Sequence, residues 1–141
     1  MGLEKYLQNK TELFAYRDRK FQGTEEEYLN ALKSSRTVYI GGLSTNVEEE
    51  RLWAIFGLCG EIRRVIMGVN RSTLYPCGFA FVEFYDASCA QKACLFNGTR
   101  LSGKYIKVDL DYGFQEGRQY GRGIFGGQFR EDYARRKRIK R

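Results

Sequence analysis

Apolar residues recur along this chain with two different periods. Residues 37–41, 62–67, 77–85 and 104–110 alternate or run apolar with β-branched and aromatic content, and read as four strands. Between the first two, Asn46-Val47-Glu48-Glu49 reads as a helix start, and Leu52, Ile55 and Phe56 give that helix an inward face. Gly57 and Gly60 are placed to end it. After the third strand, Asp86 is placed to cap a second helix with Ala90, Ala93 and Cys94 at i, i+3 and i+4. Residues 68–76, with Asn70, Ser72 and the only Pro, read as a loop, and Asn97-Gly98 reads as a turn. The order βαββαβ predicts an α+β, ferredoxin-like fold. Its four-stranded antiparallel sheet would carry two helices on one face and leave the other face free.

Two arms flank this unit, which divides the chain into 1–36, 37–110 and 111–141. In the first arm Thr24-Glu25-Glu26-Glu27 matches a capping box, and Tyr28, Leu29 and Leu32 follow as a short apolar stripe expected to pack on the main unit. From Tyr112 onward the chain is rich in Gly, Arg, Tyr and Gln, with six glycines between Gly113 and Gly127. That composition predicts a tail without fixed structure until a ligand orders it.

Composition narrows the chemistry. With 141 residues and 43% hydrophobic content the chain can bury one core, and the mean hydropathy of −0.52 fits a soluble domain. No apolar run approaches the roughly 20 residues of a membrane span, so no membrane partner is expected. Residues 1–5 carry no apolar signal core, and export is not expected. The net charge is +7, and residues 113–141 hold nine Lys or Arg against three acids. A basic end of this kind suits phosphate, in nucleic acid or nucleotide. Arg-Arg-Lys-Arg-Ile-Lys-Arg at 135–141 resembles a nuclear-import patch. The four cysteines form no C-x-x-C pair and the chain has no His, so reduced thiols are expected rather than a metal site. Without His or a phosphate-cradling loop the expectation is a binding protein with no catalytic residues and no cofactor, not an enzyme.

The octamer Cys77-Gly78-Phe79-Ala80-Phe81-Val82-Glu83-Phe84 makes the ligand class more specific. On a strand Phe79 and Phe81 share one face, with Ala80, Val82 and Phe84 on the other. Upstream, Val38-Tyr39-Ile40-Gly41-Gly42-Leu43 places Tyr39 between two inward β-branched residues. Three aromatics on adjacent strands form a stacking platform for unpaired bases, and the pair of motifs resembles the RNA recognition motif. Cys77 stands where that motif usually has Lys or Arg, and Gly42 where it usually has Asn. In the fourth strand Ile106, Val108 and Leu110 should face the helices. Lys107, Asp109 and Asp111 then join Tyr39, Phe79 and Phe81 on the free face. Carboxylates repel phosphate, but they suit the N1–H and N2–H₂ donors of guanine.

The flanks carry a more specific resemblance. Asp109-Leu110-Asp111-Tyr112-Gly113-Phe114-Gln115-Glu116-Gly117-Arg118-Gln119-Tyr120-Gly121-Arg122-Gly123, then Gly126-Gly127-Gln128-Phe129-Arg130 and Tyr133, resembles the small-subunit family of the nuclear cap-binding complex. So do Tyr16-Arg17-Asp18-Arg19-Lys20-Phe21, Ile66-Met67-Gly68 and Asn97-Gly98-Thr99-Arg100-Leu101. The resemblance implies binding of the 7-methylguanosine cap of RNA polymerase II transcripts, as a heterodimer with a large helical-repeat subunit. It implies that Tyr16 and Tyr39 sandwich the methylated base, with Asp111 accepting from the guanine N1 and N2 donors, Lys107 facing the O6 edge and Asp109 beside it. It gives Arg118, Arg122, Gln128, Phe129, Arg130 and Tyr133 to phosphate and ribose, with Arg118 also bracing the site against an acid. Phe79 and Phe81 would support the base and the following nucleotide. A nuclear location with shuttling to the cytoplasm, and a part in mRNA processing and export, follow from the same resemblance. Lys107 stands where this family usually has Arg, and Leu110 where it usually has Trp. The alternative is a general single-stranded RNA-binding factor of the splicing type.

Overall fold

The computed structural model describes residues 21–121. Thr24 opens helix α1 (Glu25–Lys33) through a complete capping box. The Thr24 N–H donates to Glu27 Oε1 at 2.7 Å, and the Glu27 N–H donates to Thr24 Oγ1 at 3.1 Å. Tyr28 and Leu32 from this helix enter the main core, with Leu29 packed beside them, as the apolar stripe predicts.

The sheet comprises β1 (Thr37–Gly41), β2 (Ile62–Val69), β3 (Pro76–Phe84) and β6 (Lys107–Asp111), in the spatial order β2-β3-β1-β6, all pairs antiparallel. Helices α2 (Glu49–Phe56) and α3 (Ala87–Ala93) lie against it. Val38, Ile40, Ala80, Val82, Val108 and Leu110 point toward the helices and meet Leu52, Phe56, Ala90 and Ala93, all fully buried. Leu110 is thus a core residue, as the alternation along its strand requires.

Four local expectations need correction. The strand expected over 104–110 is broken at Ile106. Residues before it form a small hairpin of β4 (Arg100–Leu101) and β5 (Lys104–Tyr105), and the sheet strand begins only at Lys107. Ile106 explains the break, because its N–H donates to Thr99 O and its carbonyl accepts from the Gly98 N–H. Asn46 does not cap α2. Its Oδ1 accepts from Ser44 Oγ at 2.5 Å in the preceding turn, and Glu48 takes the cap position without a side-chain bond. Asp86 does hold the N-cap position of α3, but without a side-chain cap bond, and Cys94 lies in a 3₁₀ turn (Cys94–Phe96) rather than in the helix. The fourth correction concerns the sheet face opposite α2 and α3, which is not free. Residues 112–121 leave the β6 edge and cross it to the β2 edge. There the Val69 N–H donates to Gln119 O at 2.8 Å and the Gly121 N–H donates to Val69 O at 3.2 Å.

Candidate nucleic-acid interface

Strand register sets which side chains meet on this face, because paired residues of neighbouring strands point the same way. One transverse row is Arg64, Glu83, Thr37 and Asp111, and the next is Ile66, Phe81, Tyr39 and Asp109. Lys107 follows in β6, paired with Gly41. The expected grouping of Tyr39, Phe79, Phe81, Lys107, Asp109 and Asp111 on one face therefore exists.

The three rings pack together as a second, smaller apolar cluster. Tyr39 stacks on Phe79 with ring centroids 6.0 Å apart, and Phe81 stands edge-on to both. Two glycines let the rings lie flat. A Cβ on Gly68 would run into the Phe79 ring, and one on Gly41 would come within 3.0 Å of the Tyr39 ring. The sequence pattern predicts a loop from position 68, yet Gly68 lies within β2 as the floor under Phe79.

An open platform was expected, but Tyr39, Phe79 and Phe81 are 3%, 1% and 0% exposed. The crossing segment covers Phe81 from two sides. Phe114 packs on it at 5.4 Å between centroids, and the Arg118 guanidinium lies 4.9 Å from its centroid. Arg118 is itself held between rings, with Tyr112 at 4.4 Å on the other side. Arg64 lies 5.1 Å over Phe114, and Arg71 lies 4.5 Å over Tyr120. Cation–π contacts of this kind each add roughly 0.5–1 kcal/mol when exposed and more when desolvated. Composition predicts a tail without fixed structure here, but residues 112–121 offer aromatic and Arg side chains that the sheet face can bury.

Asp111 is the most buried charge on the face. Its carboxylate accepts from Arg118 Nη1 at 2.6 Å, Arg118 Nη2 at 3.0 Å and the Gly113 N–H at 3.0 Å. Arg118 Nη1 also donates to Gly113 O at 2.7 Å. The acid expected to brace Arg118 is therefore Asp111. The Arg118 guanidinium lies under the surface rather than at an outward position open to phosphate. Asp109, half-buried opposite Tyr39, and Lys107, exposed, lie farther along β6.

Beside this pair Glu83 accepts from Arg64 Nε and Arg63 Nη1, each at 2.7 Å. Burial alone would raise the Glu83 carboxyl, but the hydrogen bonds and charges of the two arginines outweigh it and hold it below its ordinary value. Sequence reasoning missed Arg64, Glu83, Phe114 and Gly68. Arg64 and Glu83 lie at alternation positions that share the face with Phe81, so their strand period was an available signal. Phe114 carried none beyond being apolar in a glycine-rich stretch. Tyr16, Arg122, Gln128, Phe129, Arg130 and Tyr133 lie outside the described residues. Among the described residues no group of His, Cys, Asp or Glu is arranged to hold a metal ion, and no helix is long and apolar enough to cross a membrane.

Residues 38–107 match the family model of the RNA recognition motif. The chain is 48% identical over 128 residues to nuclear cap-binding protein subunit 2 of Drosophila willistoni, covering 90% of this chain and 83% of that one. The chain belongs to the nuclear cap-binding protein subunit 2 family. The same-named protein of Caenorhabditis elegans is 45% identical over 130 residues, covering 92% of this chain and 82% of that one. The rice member is 48% identical over 124 residues (87% of this chain), and this chain spans about half of its length, 51%. Among solved structures, the crystal structure of an RNA binding protein PG1 matches with a TM-score of 0.55 and 26% identity, covering 58% of this chain and all of that one. An SXL-lethal protein/RNA complex matches with a TM-score of 0.54 and 26% identity, over 60% of this chain and 52% of that one. The fold is thus that of the RNA recognition motif, and the family is one of RNA-binding proteins rather than enzymes.

Proposed function

We propose that this protein binds the 7-methylguanosine cap of RNA, as the small subunit of a nuclear heterodimer with a large helical-repeat subunit. One observation carries the reading: Tyr39 and Asp109 are direct cross-strand partners, so once the ligand opens access to the Tyr39 ring, which is 3% exposed in this structure, a base stacked there has a carboxylate at its edge. The names of the relatives support the ligand and a nuclear role.

In this proposal Tyr16 closes on the base from the side opposite Tyr39. Methylation at N7 makes the purine cationic, and two phenol rings around it gain a cation–π term of roughly 0.5–2 kcal/mol. At about 1.4 kcal/mol per decade that is a preference over plain guanine of about two- to thirtyfold. Because Arg118 and Gly113 already occupy Asp111, we assign the first contact with the guanine N1–H and N2–H₂ to Asp109. Asp111 then holds the wall behind it, braced by Arg118. Lys107 meets the O6 edge as a point charge instead of the fork an Arg would offer. Phe79 and Phe81 support the Tyr39 ring from below. Arg122, Gln128, Phe129, Arg130 and Tyr133 take the phosphates and ribose. Delivery of capped transcripts to processing and export, with shuttling between nucleus and cytoplasm, completes the proposal.

The test is a titration of 7-methylguanosine triphosphate against GTP, with and without the large subunit. A clear preference for the methylated ligand is expected. Asp109→Asn should lower affinity at least tenfold through loss of a charged hydrogen bond of about 1.5–3 kcal/mol. Equal binding of both ligands under every condition would leave only general single-stranded RNA binding.

A further inference from the structure

The segment that crosses the sheet occupies the ring on which a passing RNA base would stack. We propose that Phe114 and Arg118 set specificity by exclusion: they cover Phe81 and keep the bases of uncapped single-stranded RNA off the sheet. The inference deepens the RNA-binding reading above and rests on it.

The cover is built, not draped. Phe114 lies against Phe81 on one side and under Arg64 on the other. Arg64 is in turn fixed by two hydrogen bonds to Glu83, at 2.7 and 3.2 Å. Arg118 is pinned on Asp111 while its guanidinium lies between Phe81 and Tyr112. The far end is tied to β2 by the two Val69 backbone bonds and by Arg71 over Tyr120. The result is a Phe81 ring that is 0% exposed in the centre of the face.

A base stacked on an aromatic ring raises affinity by roughly one to two orders of magnitude. Access to Phe81 therefore decides whether a recognition motif holds any single strand that passes. For such a strand to use Phe81 here, Phe114 must leave the ring and Arg118 must leave Asp111. An uncapped strand brings no cationic base to offset that opening. The cost falls on every sequence alike, so the cover acts against RNA in general and leaves recognition to groups outside Phe81.

The test measures binding of the full chain to an uncapped, 5′-hydroxyl pentauridylate by fluorescence anisotropy at fixed salt. Titrations with 7-methylguanosine triphosphate and GTP run in parallel. Wild type should bind the pentamer weakly, and Phe114→Ala should bind it roughly tenfold more tightly. Phe114→Leu, which restores an apolar cover, should return to the wild-type value, an outcome that a general loosening of the fold would not produce. Arg71→Ala, at an exposed position that touches the cover only through Tyr120, should give a gain of a few-fold by freeing the far end. It carries the test should Phe114→Ala lose its native circular dichroism. Tight pentamer binding by wild type, or no gain in any folded variant, would overturn the proposal. Loss of methyl preference in the parallel arm would sink the cap reading alone, because the pentamer arm is read independently of it.

Discussion

Arg118 folds back seven residues to meet Asp111 with two parallel bonds, Nη1 to Oδ2 at 2.6 Å and Nη2 to Oδ1 at 3.0 Å, and the two side chains are 1% and 0% exposed. A pair this deep is held by geometry, because removing one partner strands the other charge away from water. Arg118→Ala should therefore destabilise the chain by about 3–5 kcal/mol in urea denaturation. Arg118→Lys should recover only part of that loss, since an ammonium cannot reproduce the fork. A wild-type midpoint for Arg118→Ala would mean that the pair contributes nothing.

Gly68 lies under the Phe79 ring with no room for a side chain. Gly68→Val should force that ring up and cost about 1–3 kcal/mol by overpacking. The displaced ring would also shift Tyr39, which stacks on it. Near-ultraviolet circular dichroism should report the change in ring packing, and affinity for 7-methylguanosine triphosphate should fall in parallel. Unchanged spectra and stability would show that the face tolerates a side chain there.

Acid should weaken the row that anchors Phe114. The Glu83 carboxyl is held below its ordinary value, which is about 4.3 in an unfolded chain. Its contribution to stability is complete above that unfolded value and is lost as the pH falls through the lower folded one. Glu83→Gln should accordingly be less stable than wild type at pH 7, with the difference shrinking below about pH 4. Denaturation midpoints at pH 7, 5 and 3.5 check this, and a constant gap across that range would refute it.

Thr24 and Glu27 satisfy each other's backbone N–H at the start of α1. Thr24→Ala should cost about 1 kcal/mol. The change should concentrate at the first turn, where amide hydrogen exchange of residues 25–28 is expected to accelerate. Unaltered exchange there would show that burial of Tyr28 and Leu32 holds the helix without its cap.

The positions of the strands, the capping box at Thr24 and the common face of Tyr39, Phe81, Asp109 and Asp111 were legible in the sequence. Alternation with period two is a local property, and it fixes which side chains share a face before any partner strand is known. The break at Ile106 was not legible, because it depends on bonds to Gly98 and Thr99 that compete with the sheet. The unused cap at Asn46 has the same origin, a nearby Ser44 that takes its oxygen. What lies over the face could not be read either. Residues 112–121 carry the composition of a flexible tail, and only contact with Phe81, Arg64 and Val69 gives them a place. Sequence alone determined which side chains share that face of the sheet. The tertiary structure decided which of them are covered, because burying Phe114 and closing Arg118 on Asp111 require surfaces that exist only once the sheet has formed.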